Sequence, residues 1–281
     1  MLLIADSGST KTSWTLLDQD NGNALSCNTA GINPMYQDEE SIFYLLQKEF
    51  TIAVPGLVDL FFYGAGCINK GVNETVRDAL GRFFNCSMLS VETDLMAAAR
   101  SLCQDNKGIA CILGTGSNSC YYNGKEIIRN ISPLGYMLGD EGSGAVIGRK
   151  FIADLLKNQM PEYIREKFFI TYNLEPHNIM ESVYKKPFPN RFLAQFTRFI
   201  HENIHEPSLI NLVTNSFIEF FNRNIRQYPE ALQLPVQFTG GVGYYFRELL
   251  EQAAMRTGYV IGDVTASPME GLIKYHLNHK N

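Results

Sequence analysis

The chain has 281 residues, a net charge of −5 and 19% charged residues, which are ordinary values for a globular protein of about two domains. The basic residues are thinly spread, which argues against nucleic-acid and polybasic membrane partners. The N-terminal apolar run is too short for a signal peptide and no stretch approaches the length of a membrane span, so we expect a cytoplasmic protein.

Short strands with tight turns are predicted in the glycine-rich parts of the chain, at residues 2–6, 12–17, 58–63, 109–113, 117–122 and 236–239. Helices alternate with them at residues 39–50, 72–84, 95–103, 141–156 and 244–255, and a last helix runs from Pro268 to about His276. No glycine lies between Gly148 and Gly240. This middle part carries apolar residues at helical spacing, so we expect a block of helices at about residues 150–235 in an α/β protein.

One sequence pattern occurs twice. A strand, a Gly/Ser/Thr turn and a second strand appear as IADSGSTKTSWTLL and as CILGTGSNSCYY, and a strand that ends in glycines follows each of them later. We therefore predict two related α/β domains. The first comprises residues 1–107 and is completed by a C-terminal helix within 268–281, and the second comprises residues 108–267 and contains the helical block. A cleft between them would be the site.

The first turn offers a phosphate-binding pattern. Gly8, Ser9, Thr10 and Lys11 lie between two strands, where backbone N–H groups and small hydroxyls can wrap phosphate oxygens. Asp6 precedes them, and a carboxylate beside phosphate is best explained by Mg²⁺ held between the two, directly or through water. The alternative is a plain hairpin turn with an exposed Asp.

Two later glycine-rich segments repeat the theme. A second turn could clamp the same polyphosphate, and it consists of Gly114, Thr115, Gly116 and Ser117. Gly240 and Gly241 follow a strand and precede a helix, where the lack of a side chain lets the backbone approach a nucleotide. The alternative for this glycine pair is a helix-entry turn with no ligand.

Three polar residues are candidates for chemistry. Asp94, in VETDLMAAA, and Asp140, in LGYMLGDEGSGAVIG, each lie where a helix is about to begin, a common place for a capping or first-turn acid. The chemical alternative makes Asp94 the base that takes the proton of an attacking hydroxyl and Asp140 a ligand of sugar hydroxyls. Asn33, in AGINP, either binds sugar or makes an Asx turn ahead of Pro34.

Five motifs, DSGSTKT, ETDLMAAA, LGTGSNS, LGYMLGDEGS and TGGVG, occur in this order over nearly the whole chain. Together they resemble the N-acetylglucosamine kinase-like branch of the sugar kinase, actin and heat-shock chaperone superfamily, which includes the BadF/BadG-type ATPases. LGTGSNS and GDEGS in combination are specific to that branch. The resemblance implies two ribonuclease H-like domains of the actin-like ATPase type, with an interdomain cleft and a helical insertion in the second.

The resemblance also implies roles for the candidate residues. Asp6 with residues 8–11 would form the first phosphate motif, residues 114–117 the second, and residues 240–241 the adenosine motif. Asp94 would be the catalytic base and would contact the sugar together with Asn33 and Asp140. The implied reaction uses ATP and Mg²⁺ to phosphorylate an amino-sugar hydroxyl, N-acetylglucosamine to its 6-phosphate. A small sugar is the implied partner, and a homodimer is left open.

Two other functions are compatible with the same fold. One is an ATPase that activates a radical dehydratase or reductase and holds an iron–sulfur cluster, although the six cysteines show no CxxC spacing. The other is a non-catalytic sugar sensor, against which the absence of a DNA-binding extension before Leu2 and the presence of both acids argue.

One metal-site pattern is set aside. Residues 201–205 read HENIH and fit the HExxH zinc pattern, but Pro207 follows almost at once and no third ligand is identifiable. We interpret this segment as a surface coincidence in the helical block, away from the cleft.

Overall fold

The computed structural model describes residues 1–18 and 22–279. The chain forms two compact units, of which unit 1 comprises residues 1–105 and the C-terminal residues from 268 onward, and unit 2 comprises residues 106–267. Each unit contains one five-stranded sheet with helices packed on it.

The strands are β1 (Leu2–Ser7), β2 (Lys11–Leu17), β3 (Ala24–Ala30), β4 (Val58–Gly64), β5 (Cys86–Thr93), β6 (Gly108–Leu113), β7 (Ser117–Tyr122), β8 (Ile127–Ile131), β9 (Val236–Thr239) and β10 (Ile261–Thr265). The helices are α1 (Glu39–Glu49), α2 (Lys70–Phe83), α3 (Asp94–Cys103), α4 (Gly135–Leu138), α5 (Gly144–Leu156), α6 (Glu162–Tyr172), α7 (Pro176–Tyr184), α8 (Pro189–Ala194), α9 (Thr197–Glu202), α10 (Pro207–Arg223), α11 (Gly241–Tyr245), α12 (Arg247–Thr257) and α13 (Met269–Asn278). Two short 3-10 helices, Ile225–Gln227 and Pro229–Leu232, follow α10.

The two sheets have the same strand order and the same strand directions. In unit 1 the order is β3-β2-β1-β4-β5, with β1, β2 and β3 antiparallel and with β4 and β5 parallel to β1. In unit 2 the order β8-β7-β6-β9-β10 repeats this arrangement. Each Gly/Ser/Thr turn therefore joins the first two strands of a sheet, at the edge where the parallel strands also have their carboxyl ends.

The core of unit 1 is built around the only tryptophan of the chain. Trp14 is fully buried, and its Nε1–H donates to Thr29 Oγ1 at 3.0 Å. Its ring packs against Phe50, Phe62 and Phe84. Because all of these contacts lie within unit 1, the indole reports on the folding of that unit.

The C-terminal helix α13 packs on α3, which begins at Asp94. At Gly271 a Cβ atom would lie 2.2 Å from Ser101 Oγ, so only glycine allows this approach of the two helices. Buried polar groups connect the same helices, because Arg100 Nη1 donates to Tyr63 Oη at 2.9 Å and that hydroxyl lies 2.8 Å from His276 Nε2.

The core of unit 2 lies between its sheet and the glycine-free helices. Large aromatic side chains are buried there, and Phe168 makes edge contacts with both Phe151 and Phe199. A Cβ at Gly148 of α5 would lie 2.0 Å from the carbonyl oxygen of Leu193 in α8. Glycine at this position therefore lets α8 pack directly on α5.

Most predicted elements are present, with shifts at their ends. The helix predicted from 141 begins at Gly144, because Asp140 and Gly142 have left-handed backbone (φ 53° and 74°) and Ser143 caps the helix by accepting from Val146 N–H. The helix predicted at 244–255 is two helices separated at Phe246. The glycine-free part of the chain contains the helices α6 to α10.

Four strands, β3, β5, β8 and β10, were not predicted, and each lies at an edge of its sheet. Their side chains are mostly exposed or half-buried, so they lack the apolar alternation of a strand with one buried face. Among the helices of residues 1–18 and 22–279, none combines the length and apolar character that crossing a membrane requires.

Candidate active site

The carboxyl ends of β1, β4 and β5 bring the polar candidates of unit 1 to one edge of the sheet. Asp6 lies near the end of β1, and Asp94 directly follows β5. β4 lies between these two strands, so the backbones that carry the two acids are about 10 Å apart at the usual strand spacing. The sheet thus places the two acids at the same edge, where β1 and β5 end.

The two acids influence each other electrostatically. Burial and the nearby Asp94 carboxylate raise the pKa of Asp6 to about 7, and the Lys11 ammonium opposes the rise. Burial also raises the pKa of Asp94 to about 6, against the stabilising N–H groups of Leu95 and of Asp94 itself. Within the described residues Asp6 forms no ion pair. A cation bound beside Asp6 and Asp94 would stabilise the ionised form of both carboxylates.

The start of α3 fixes Asp94. Thr93 is the N-cap, and its hydroxyl accepts from Met96 N–H at 3.0 Å, which places Asp94 in the first turn. Of the two roles foreseen as the alternative for Asp94, capping therefore belongs to Thr93, whereas Asp94 is indeed an acid of the first helical turn. A carboxyl group with a pKa of about 6 is mainly ionised at neutral pH and can accept a proton from a hydroxyl held against it.

Side-chain hydrogen bonds hold the base of the first turn. Ser7 Oγ lies 2.7 Å from Thr12 Oγ1 and donates to Ile32 O, and both hydroxyl oxygens accept from Ile32 N–H. Gly8 N–H donates to Lys11 O inside the turn. The backbone N–H groups of Ser9 and Thr10 make no backbone hydrogen bond within the described chain, so these two are the donors left for a phosphate.

Asn33 lies close to the segment that follows β4. Its Oδ1 accepts from Met35 N–H at 3.0 Å, which is the Asx turn foreseen as the alternative, and this leaves the amide NH₂ as the group that can donate to a ligand. A Cβ at Gly66 would lie 2.3 Å from Asn33 Oδ1. The glycine, with φ of 87°, therefore makes room for the Asn33 side chain beside the end of β4.

In unit 2 the second turn is held by the start of α5. The carbonyl oxygens of Gly114 and Thr115 accept from the N–H groups of Gly144 and Ala145, at 2.8 and 3.0 Å. Gly114 N–H donates to Gly116 O, closing the turn. The sequence did not indicate that the GDEGS segment supports the second phosphate motif in this way.

Asp140 lies against the same turn. Its Oδ1 accepts from Ser117 N–H at 3.3 Å, and a Cβ at Gly116 would lie 3.2 Å from its Oδ2. Burial and the neighbouring Glu141 raise the pKa of Asp140 to about 6, against the hydrogen bond from Ser117.

Glu141 anchors this segment by pairing with Arg223 Nε at 2.6 Å and accepting from Asn224 Nδ2 at 3.2 Å. The structure therefore brings Asp140 to residues 114–117, within unit 2.

The glycine pair has two distinct roles. Gly240 has a φ of 117°, and a Cβ there would lie 2.5 Å from Leu113 O, so this glycine permits a close approach of β6. A Cβ at Gly241 would meet only the Tyr245 ring, at 3.9 Å, and Gly241 lines a cavity together with Gly114 and Thr115. The backbone at Gly241 therefore has space beside it for the nucleotide that the sequence predicts there.

The cavity has a volume of about 650 Å³ and lies within unit 2. Besides residues of the second turn and of α11, its lining includes four residues of α9, namely Thr197, Arg198, His201 and Glu202. The first two residues of the HENIH segment, His201 and Glu202, thus line this cavity of unit 2.

The zinc pattern in that segment gains no support: within residues 1–18 and 22–279 no three His, Cys, Asp or Glu side chains are grouped to hold a metal.

The four-residue spacing of Thr197 and His201 puts them on one helical face, but nothing in the sequence connects that face to Gly241.

Comparison with known proteins identifies relatives among solved structures only; no family model and no curated protein matches the chain. A candidate N-acetylglucosamine kinase from Porphyromonas gingivalis is 47% identical over 99% of both chains, with a TM-score of 0.94. A candidate N-acetylglucosamine kinase from Chromobacterium violaceum is 18% identical over 98% of both chains, with a TM-score of 0.72.

A glucokinase of the ROK family from Streptomyces griseus, solved with glucose and AMPPNP, is 14% identical over 98% of this chain and 97% of its own, with a TM-score of 0.54. The last two proteins share the fold at low identity, whereas the first is close in sequence over its full length. The chain therefore belongs to the N-acetylglucosamine kinase-like branch of the sugar kinase, actin and heat-shock chaperone superfamily, and it is by class an ATP-dependent sugar kinase.

Proposed function

We propose that the protein transfers the γ-phosphoryl group of ATP to a hydroxyl of an amino sugar, N-acetylglucosamine, giving its 6-phosphate. The observation that carries this proposal is Asp94, an ionisable carboxyl with a pKa of about 6 at the start of α3, beside the carboxylate of Asp6. An acid with this pKa is suited to accept the hydroxyl proton at neutral pH. The name of the P. gingivalis relative supports the choice of sugar.

The nucleotide is assigned to the glycine-rich turns. The N–H groups of Ser9 and Thr10 and the Lys11 ammonium would contact phosphate oxygens in unit 1. In unit 2 residues 114–117 would contact phosphate, and Gly241 would border the rest of the nucleotide. A helix-entry turn without a ligand needs no adjoining cavity, so the cavity favours the nucleotide interpretation.

Magnesium fits the carboxylates of unit 1. Mg²⁺ is usually held by one or two carboxylates together with substrate phosphates rather than by a full protein cage. Burial and Asp94 raise the pKa of Asp6, so a bound cation would compensate the charge of this carboxylate, which is a suitable metal ligand. When bound, the ion neutralises charge on the β- and γ-phosphates, and Asp6 would hold it directly or through water.

The remaining residues position the sugar. Asp94 would orient the primary hydroxyl and take its proton as the oxygen attacks the γ-phosphorus, with the bond to the β-phosphate oxygen breaking opposite. The amide NH₂ of Asn33 and the carboxylate of Asp140 would bind other sugar hydroxyls. Most of the rate enhancement would then come from positioning and charge neutralisation.

The test is ADP release with MgATP against N-acetylglucosamine, glucosamine, N-acetylmannosamine, glucose and no sugar, with mass spectrometry of the product. We expect strong stimulation by N-acetylglucosamine and a phosphate on its 6-oxygen. Hydrolysis that every sugar leaves unchanged would favour the enzyme-activating ATPase. Sugar binding without ATP consumption would favour the sensor.

A further inference from the structure

The side chains of α9 form a polar part of the cavity lining, and the proposed function gives them no role. Arg198 Nε and Glu202 Oε1 are 2.8 Å apart, with 85% and 52% of their side chains exposed. An exposed pair of this kind contributes little to stability, because solvent screens it and both side chains lose rotamer freedom. The Glu202 carboxylate is therefore available to a ligand at little cost to the fold.

His201 of α9 contacts the end of α11, the helix that begins at Gly241. Its ring lies 5.6 Å from the Tyr245 ring and 5.4 Å from the Phe246 ring, both in edge contacts. All three side chains line the cavity. Part of the lining is thus aromatic, which suits a flat ring, whereas Gly114 and Thr115 belong to the turn assigned to phosphates.

We infer that His201 and Glu202 select the nucleoside: His201 contacts the base, and the Glu202 carboxylate accepts hydrogen bonds from the ribose hydroxyls. This inference rests on the proposed function, in which the second turn binds the phosphates. With the phosphates at residues 114–117, the rest of a cavity of about 650 Å³ is available to the nucleoside.

The chemistry of a carboxylate supports this assignment. An ionised carboxylate only accepts hydrogen bonds, so it repels phosphate but pairs well with a diol that can donate twice.

The ribose contact is tested by calorimetric binding of ATP and of 2′,3′-dideoxy-ATP to the wild type and to Glu202→Gln. The wild type should bind ATP about tenfold more tightly than the dideoxy analogue, as expected for a hydrogen bond to a charged group, and the variant should lose most of this preference. Glu251→Gln is the matched control, because Glu251 forms the same i,i+4 pair with Arg247 at 2.7 Å and does not line the cavity.

The base contact is tested with His201→Ala, measured against ATP and against inorganic tripolyphosphate. Affinity for ATP should fall about tenfold, while affinity for tripolyphosphate should not change, since the phosphate turn is intact. His205→Ala is the control, because the second histidine of the segment does not line the cavity.

The outcomes separate this inference from the proposed function. If the wild type binds ATP and phosphorylates sugar, but Glu202→Gln keeps the preference for ATP and His201→Ala binds it normally, the nucleoside assignment is overturned and the kinase remains. If the wild type binds no ATP at all, both are overturned.

Discussion

The buried histidine of the C-terminal helix should make unit 1 less stable in acid. His276 Nε2 lies 2.8 Å from Tyr63 Oη, which already accepts from Arg100, so the hydroxyl hydrogen is directed at the imidazole. The acceptor nitrogen must then be unprotonated. Burial, together with the positive charges of Arg100 and His279, lowers the pKa of His276 from 6.5 to about 4.

The sign and size follow from proton linkage. A group whose pKa is lower in the folded state binds its proton first in the unfolded chain, so stability is lost as the pH falls from about 6.5 towards 4. Between pH 7 and pH 5 these two pKa values correspond to a loss of about 2 kcal/mol. His276→Gln removes the titration and keeps an acceptor near Tyr63.

The assay is denaturant unfolding followed by the fluorescence of Trp14, which is buried in unit 1 and is the only tryptophan. The difference in unfolding free energy between wild type and His276→Gln should shift by about 2 kcal/mol against the wild type between pH 7 and pH 5. His177→Gln, at an exposed position in unit 2, should leave the Trp14 transition unchanged. A difference that is the same at both pH values would refute the reasoning.

Three further predictions concern catalysis and packing. Asp94→Asn should lower kcat by roughly 10²- to 10⁴-fold and leave the calorimetric affinity for ATP unchanged, and retained turnover would remove Asp94 from the role of base. In the wild type, kcat/KM should fall as the pH drops through about 6, because the base must be ionised, and a flat profile from pH 7 to pH 5 would contradict this. Gly148→Ala should destabilise the protein by roughly 1–3 kcal/mol in thermal unfolding, because the new methyl group meets Leu193 O at 2.0 Å, whereas Gly81→Ala, with its nearest neighbour at 3.8 Å, should not destabilise it.

The sequence predicted the strands of the sheet interior and missed those at the edges. β1, β4, β6 and β9 are buried or carry clear apolar runs, and this burial is what hydrophobic patterning records. Each edge strand pairs on one side only and keeps many side chains in contact with water, so its residues resemble those of a loop. Which segments complete the two sheets was decided by backbone pairing in the folded chain.

The candidate site divides in the same way. The sequence was sufficient to select the glycine-rich turns, Asp6 and Asp94 as candidate site residues, because short motifs and their order along the chain indicate them. The support of the second turn by Asp140 and α5, and the contribution of His201 and Glu202 to the cavity, join residues far apart in the sequence. These contacts depend on how the helices pack, with α8 against Gly148 of α5 and α9 beside α11. Only the tertiary structure fixes this packing, because helical periodicity in a sequence shows which face of a helix is buried but not what lies against that face.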